Sequence, residues 1–375
     1  MASVTGHHLS RVVLLRWLAV GSVAAAVVLL SGCVPTTETF WSPDGSAVAY
    51  QSDGQLYLYD VVTKESREVN TGDMSVGPLA WSPDASRIAA YGTKEGAPEQ
   101  GLLCLVDMPS AHVAVLAEHV WEVTGEALGG LQSDLGTSDP GAVAAFVVGF
   151  YGPMAWSPDS RRIAYLSALG AHFSVVVVDV TCGAGKTVVE SGNCIPLVAW
   201  SPDGTRLAYV TVPPESSPAT AKAALFTYDF AAEAHTKITD LPGDGIAGCT
   251  RLQWSPDSTQ IGLIVPDPPN GTAIGCLVDA KPGAEVRKVV RGISETAAWS
   301  PNLTGVAFVE EREDAAVVLY RGVQPPVRRV LGSIPQGSDL MFSPLSIPQF
   351  SPDGRSVSFL NYMGDTLEVG VLTVR

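Results

Sequence analysis

The pentapeptide Trp200-Ser201-Pro202-Asp203-Gly204 recurs with small changes along the 375-residue chain, in seven copies. The other copies are Trp41-Ser42-Pro43-Asp44-Gly45, Trp81-Ser82-Pro83-Asp84, Trp156-Ser157-Pro158-Asp159, Trp254-Ser255-Pro256-Asp257, Trp299-Ser300-Pro301-Asn302 and Phe350-Ser351-Pro352-Asp353-Gly354. Successive aromatic residues are 40, 75, 44, 54, 45 and 51 positions apart. Most of these intervals match the length of one four-stranded unit in a repeat protein.

The composition of the motif predicts a tight turn followed by a strand. Proline sets the backbone angle of the first corner, and an Asp followed by a small residue suits the second. A β pattern such as Arg206-Leu207-Ala208-Tyr209 follows each copy. The aromatic residue before the turn is large enough to pack between neighbouring sheets. The alternative is a ring of carboxylates that binds metal or substrate, but Asn302 in the sixth copy favours the turn, since Asn is a weaker cation ligand.

The repeat resembles the WD40-like, TolB-type (PD40) propeller repeat, and the resemblance covers residues 37–375. It implies an all-β fold, a seven-bladed β-propeller of four-stranded antiparallel blades. Proteins with this repeat include the translocation protein TolB, the propeller domains of prolyl-oligopeptidase-type peptidases and oligogalacturonate lyases. Because that range of functions is wide, the resemblance implies the fold and leaves the function open.

The last blade has fewer residues than the others. After Phe350 the chain offers a second strand at 355–361 and a third at 366–374, and then ends. We therefore predict three strands in the seventh blade, with its open edge shared with the amino-terminal segment. A fourth strand formed by residues 33–36 would contradict this prediction.

The 75-residue interval contains about thirty residues more than a blade needs, at 118–149. Apolar residues at Trp121, Leu128 and Leu131 have helical spacing, and Pro140 suits the first turn of a second helix. We expect a small helical insertion, which either covers the propeller face as a flap or contacts a partner or membrane.

The amino terminus resembles a bacterial lipoprotein signal peptide at residues 1–32. Two arginines precede an apolar run, and Leu30-Ser31-Gly32-Cys33 follows it in the pattern of a lipobox. We predict cleavage before Cys33, a lipid on its thiol and a short tether over residues 33–36. The protein would then lie at the extracytoplasmic face of the cell membrane or outer membrane of a bacterial envelope, anchored without crossing it. A signal peptide without lipid is the alternative.

The charge of the chain excludes some partners. The whole chain has 23 Lys and Arg against 38 Asp and Glu, a net charge of −15. Removal of residues 1–32 takes away two arginines and no acid, which leaves −17. Such an acidic protein repels nucleic acid, and no basic binding stripe is present, so we expect no nucleic-acid partner.

Six cysteines are present. Export exposes a chain to an oxidising compartment, so Cys182 with Cys194, and Cys249 with Cys276, are candidate disulfides, which leaves Cys104 on a buried strand. No Cys or His spacing typical of a zinc site occurs, and we predict no metal site.

Motifs for common enzymes are missing from the sequence. It has no G-x-S-x-G nucleophile motif, no phosphate loop and no dinucleotide fingerprint that opens a helix in a βαβ unit, so we assign no catalytic residue and no cofactor. A metal-assisted polysaccharide lyase is the enzymatic alternative. It would require His119, which precedes Glu122 by three residues, to converge with His172 and His235.

The sequence therefore favours a non-catalytic, membrane-tethered propeller. We expect it to bind a protein, peptide or glycan at the channel mouth or through the insertion 118–149, because binding residues often lie on loops held by a rigid scaffold. A competing possibility is an assembly subunit of an envelope complex.

Overall fold

A computed structural model describes residues 38–52, 54–94, 97–108, 110–121, 154–169, 172–213, 222–242, 251–267, 271–311, 315–335, 347–363 and 366–374. Over these residues the chain forms 27 β-strands and no helix. The strands make seven separate antiparallel sheets, six with four strands and one with three. The predicted seven-bladed, all-β propeller is confirmed.

Each blade uses consecutive strands, with the first strand innermost and the last outermost. Blade 1 contains β1 (Thr39–Trp41), β2 (Ala47–Ser52), β3 (Gln55–Asp60) and β4 (Ser66–Val69). Blade 2 contains β5 (Met74–Trp81), β6 (Arg87–Lys94), β7 (Ala97–Asp107) and β8 (His112–Ala117). Blade 3 contains β9 (Met154–Trp156), β10 (Arg162–Leu169), β11 (His172–Asp179) and β12 (Gly185–Ser191). Blade 4 contains β13 (Cys194–Trp200), β14 (Arg206–Val212), β15 (Ala224–Asp229) and β16 (Ala234–Asp240).

The remaining blades follow the same plan. Blade 5 contains β17 (Arg251–Trp254), β18 (Gln260–Asp267), β19 (Thr272–Asp279) and β20 (Arg287–Ile293). Blade 6 contains β21 (Ala298–Trp299), β22 (Gly305–Glu311), β23 (Ala315–Gly322) and β24 (Arg328–Pro335). Blade 7 contains β25 (Gln349–Phe350), β26 (Ser356–Met363) and β27 (Thr366–Thr373), so the three-stranded last blade is confirmed. Residues 33–36 lie outside the described part of the chain.

The blades close into a ring around a central channel, because blade 7 contacts blade 1 directly. Glu38 forms an isolated parallel bridge with Ile347. One residue further on, the hydroxyls of Thr39 and Ser358 lie 2.7 Å apart in a fully buried hydrogen bond. Pairing between the beginning and the end of the chain thus completes the ring.

The two ends of the ring differ, and we name them by their connections. At the turn end, the Ser-Pro-Asp motif joins the first strand of each blade to the second, and a short turn joins the third to the fourth. At the loop end lie the second-to-third connections and the links from one blade to the next. In blade 4, for example, Ser201–Thr205 lies at the turn end and Cys194 at the loop end.

The start of the predicted insertion can be compared with the structure only as far as Trp121. The backbone N–H of Gly101 donates to the carbonyl of Trp121 over 3.0 Å, and that of Val120 donates to the carbonyl of Gly101. Trp121 is fully buried and its ring meets Tyr91 edge-on at 5.5 Å. The expected helix therefore does not begin at Trp121, which pairs as an extended residue instead, and residues 122–149 lie outside the described part.

Candidate functional site

The Ser-Pro-Asp motif forms a local hydrogen-bond network at the turn end of every blade. In blade 4 the hydroxyl of Ser201 donates to Asp203 Oδ1 over 2.6 Å and accepts the backbone N–H of Arg206. The same Asp203 oxygen accepts the backbone N–H of Thr205 at 3.0 Å. The carboxylate is therefore held by its own turn.

The other copies repeat this geometry. The Ser–Asp distance is 2.5 to 2.6 Å at Asp44, Asp84, Asp159, Asp257 and Asp353, and 2.9 Å at Asn302. The Ser42 hydroxyl and then the Ser46 backbone N–H lower the pKa of Asp44 below its usual range. No three His, Cys, Asp or Glu side chains gather around a possible metal position within the described ranges. The geometry therefore favours turns over a carboxylate ring.

The residue after the Asp, or after Asn302 in the sixth copy, has a left-handed backbone in all seven copies. Glycine occupies this position three times, at Gly45, Gly204 and Gly354, with φ between 70° and 72°. The other four copies place a residue with a side chain there, Ala85, Ser160, Ser258 and Leu303, with φ between 57° and 59°. Those four turns carry backbone strain that a glycine would relieve.

The tryptophan of the motif links its blade to the preceding one. Trp81 donates its indole N–H to the carbonyl of Phe40 over 3.0 Å. The same bond joins Trp156 to Ala80, Trp254 to Ala199 and Trp41 to Gln349, at 2.9 to 3.1 Å. In each case the acceptor is the residue just before the aromatic of the preceding copy. The repeat thus encodes the contact between blades as well as the turn.

Two tryptophans depart from this pattern. The buried indole N–H groups of Trp200 and Trp299 have no hydrogen-bond partner among the described residues. Trp200 instead stacks on Phe230 at 4.6 Å, and the guanidinium of Arg162 lies 4.7 Å from its ring centroid. Phe350, in the seventh copy, has no indole N–H to donate.

The histidines considered for a lyase lie on three different blades. His119 follows β8 in blade 2 with φ of 52°, so it is not part of a right-handed helix, and Glu122 lies outside the described residues. His172 begins β11 in blade 3, at the loop end. His235 is on the outermost strand of blade 4, near the turn end, where its Nδ1 shares a hydrogen bond with the Tyr209 hydroxyl at 3.1 Å. The structure does not bring these residues together.

The cysteines do not form the first predicted disulfide. Cys182 is exposed in the turn between β11 and β12, whereas Cys194 begins β13 at the loop end. The seven residues of β12 separate the two ends, a distance of about 23 Å, which is far beyond disulfide reach. Cys276 is a buried free thiol, and Cys249 lies outside the described residues, so the second pairing stays a prediction. Cys104 is buried on β7, as expected.

An ion pair crosses the channel at the loop end. Arg251, the first residue of β17 in blade 5, places Nη2 2.5 Å from Oε1 of Glu38, which precedes β1 in blade 1. Blades 1 and 5 are not neighbours, so the two side chains meet across the opening. Both retain 25% of their side-chain exposure. Sequence reasoning missed this pair, because 213 residues separate its members and neither belongs to the repeat motif.

Surface grooves occur at the turn end. One of about 450 Å³ lies between blades 4 and 5 and is lined by Arg206, Ser258, Asp279 and Lys281, among others. Arg206 donates there to the carbonyls of Ser258 and Ala280, so its guanidinium already braces the two blades. The guanidinium of Arg206 is held by backbone carbonyls, whereas that of Arg251 is held by the side chain of Glu38. We therefore place the candidate site at the channel mouth.

No protein-family model and no curated protein sequence matches the chain. Solved structures do match its fold. An oligogalacturonate lyase in complex with manganese aligns with a TM-score of 0.63 and 14% identity, over 90% of this chain and 88% of that one. The oligogalacturonate lyase of Vibrio parahaemolyticus aligns with a TM-score of 0.62 and 13% identity, over 90% of this chain and 89% of that one.

Two other comparisons involve longer proteins. The tricorn protease aligns with a TM-score of 0.57 and 12% identity, over 87% of this chain but 32% of that one. TolB from Acinetobacter baumannii gives a TM-score of 0.48 and 15% identity over 78% of this chain, which spans 62% of that one. Identities this low establish the propeller fold alone.

Proposed function

We propose that this protein is a lipid-anchored, extracytoplasmic β-propeller that binds a protein, peptide or glycan and acts as a scaffold in the cell envelope. The observation that carries the proposal is the position of Glu38. It lies at the loop-end mouth of the channel, five residues after Cys33, the last residue of the lipobox pattern. A lipid on Cys33 would therefore put the anchor and the candidate binding site at the same end of the ring.

The length of the tether supports this arrangement. Five residue steps separate Cys33 from Glu38, and an extended chain of that length spans at most about 17 Å. A lipid on Cys33 would hold the loop end close to the membrane. The Ser-Pro-Asp turns, at the opposite end of the ring, would then face away from the membrane. Within the described residues no helix is long and apolar enough to span a bilayer. The attachment that this proposal requires is a lipid on Cys33.

The architecture is compatible with binding. Seven blades bring their connections together around one axis on a closed, rigid scaffold, and binding residues commonly lie on such loops. The partner would bind at the channel mouth or through the segment 118–149.

A carbohydrate-active enzyme is the second candidate, favoured by the fold it shares with oligogalacturonate lyases. His172 lies at the loop end and His235 near the turn end of an outermost strand, so these positions do not fit a metal site shared with His119. We therefore assign no reaction step to them. Incubation of the purified protein with oligogalacturonate and divalent manganese, followed by absorbance of the unsaturated product, tests this candidate.

The scaffold proposal is tested in two steps. In a bacterial host, the wild-type chain should fractionate with membranes and incorporate a labelled fatty acid, and Cys33→Ser should do neither. Export of an unlipidated wild-type chain would reject the anchor. Pull-downs from membranes with and without residues 122–149 then address the partner. Loss of one stoichiometric protein indicates an assembly subunit, whereas unchanged proteins and a bound small ligand indicate a sensor or carbohydrate binder.

A further inference from the structure

We propose that Arg251 is a binding site for an acidic side chain of a partner protein, and that Glu38 occupies this site when no partner is bound. The proposal rests on the scaffold function only in placing the partner at the channel mouth, and it does not depend on the lipid. It assigns a ligand class, the carboxylate of an extended peptide, to the Arg251 guanidinium.

The geometry of Arg251 suits such a ligand. Its Nε atom is shielded from solvent, whereas Nη2 holds the Glu38 carboxylate. A guanidinium is a rigid planar donor that matches the geometry of a carboxylate better than a lysine does. With a quarter of the side chain still exposed, an incoming carboxylate can reach it from the opening.

Glu38 can leave without opening the ring. Its backbone makes one isolated bridge to Ile347 and lies outside the ladder that begins at Thr39. The blade 7 to blade 1 contacts through Thr39 and Trp41 do not involve its side chain. Displacement of Glu38 would therefore cost the ion pair and little else of the fold.

Glu38, the residue that Arg251 binds within the chain, indicates which kind of side chain Arg251 would bind from a partner. Glu38 belongs to the sequence Thr36-Thr37-Glu38-Thr39-Phe40, so the site already accepts a glutamate presented by an adjoining extended strand. The net charge of −15 repels acidic partners at long range. The site therefore selects a segment that can insert one carboxylate, rather than a strongly acidic surface. A uronate-containing glycan is the competing ligand.

The experiment uses the full chain in detergent and a blocked synthetic peptide of the sequence Thr-Thr-Glu-Thr-Phe, measured by calorimetry at physiological ionic strength. The Glu38→Gln variant should bind the peptide at least tenfold more tightly than wild type, because the internal competitor has gone. The Arg251→Gln variant should not bind it, and a peptide with Gln in place of Glu should bind none of the proteins.

Two further variants distinguish a loss of peptide binding from a loss of folding. Glu38→Asp, whose side chain is one methylene shorter, should give an affinity between those of wild type and Glu38→Gln. The exchange Glu38→Arg with Arg251→Glu should retain the thermal stability of wild type and lose peptide binding. Equal binding by the wild-type and Glu38→Gln proteins, or binding that survives Arg251→Gln, overturns the proposal.

Galacturonate, tested as a third ligand, distinguishes a carboxylate on a peptide from a carboxylate on a glycan. If galacturonate binds the Glu38→Gln protein and the peptide does not, the peptide assignment is rejected in favour of a glycan. Peptide binding should be the same for Cys33→Ser and wild type. Failure of the lipid anchor and failure of the Arg251 site are therefore distinguishable.

Discussion

Trp41 donates its indole N–H to the backbone carbonyl of Gln349 over 3.1 Å, across the joint between the first and last blades. The same bond joins blade 2 to blade 1, blade 3 to blade 2 and blade 5 to blade 4. The ring is thus closed by the contact that also joins its interior blades. This relationship allows the strength of a single blade contact to be measured.

The change Trp254→Phe should lower the free energy of unfolding by about 1 kcal/mol more than the change Trp299→Phe. Both replace a buried indole with a smaller ring, but only Trp254 loses a hydrogen bond, the one to Ala199, and such a bond contributes roughly 0.5 to 1.5 kcal/mol. Trp299 is a matched control because it is similarly buried and its N–H has no partner among the described residues. Urea denaturation of both variants checks this, and equal losses would show that the bond adds nothing.

The left-handed turn position allows a test of backbone strain. Ala85 has φ of 59° after the Asp of the second copy, whereas Gly45 has φ of 72° at the same place in the first. We expect Ala85→Gly to raise the free energy of unfolding by about 0.5 to 1 kcal/mol and Gly45→Ala to lower it similarly. No atom lies within 4 Å of a Cβ built at Gly45, so its effect would come from the backbone alone. Thermal unfolding gives both values, and two changes of the same sign would reject this explanation.

The sequence predicted the fold because each copy of the motif carries its own structure. Asp203 and Gly204 specify the turn through local hydrogen bonds, and the tryptophan of the next copy, Trp254, specifies where blades 4 and 5 meet. At Trp121 the apolar spacing predicts part of the helical insertion, but this residue is buried against Tyr91 and pairs as an extended residue. The remainder of the predicted insertion lies outside the described residues.

The candidate site could not be predicted in this way. Glu38 and Arg251 meet only because seven blades bring the starts of two distant inner strands to one opening. A pattern that repeats in every blade gives no information about contacts made once, across the channel.

The cysteines should differ strongly in their reactivity. Cys182 is exposed in a turn, whereas burial raises the pKa of Cys104 and of Cys194 to about 12 and that of Cys276 to about 11. Because the thiolate is the reactive form, a maleimide at neutral pH should label Cys182 and spare these three in the native protein. Labelling in urea should reach all four. Peptide mass spectrometry identifies the labelled sites, and recovery of a Cys182–Cys194 linked peptide would contradict the structure.

Stability should fall in acid because carboxylates in the turns are held in their charged form. The Thr181 hydroxyl, followed by its backbone N–H, lowers the pKa of Asp179 from 3.8 to about 2. A folded pKa below the unfolded one stabilises the fold above pH 4, and this contribution is lost as the pH falls towards 2. Urea unfolding of Asp179→Asn should therefore show lower stability than wild type at pH 7 and a shallower decrease between pH 4 and pH 2.

In the sixth copy of the motif a turn carboxylate can be added instead of removed. Asn302 accepts the Ser300 hydroxyl at 2.9 Å and the backbone N–H of Thr304, but it carries no charge. An aspartate there would gain the donors that lower the pKa of Asp257, namely a serine hydroxyl and then a threonine hydroxyl. Asn302→Asp should thus raise the free energy of unfolding at pH 7 and steepen its decrease between pH 4 and pH 2. Identical pH profiles for wild type, Asp179→Asn and Asn302→Asp would mean that turn carboxylates do not control acid stability.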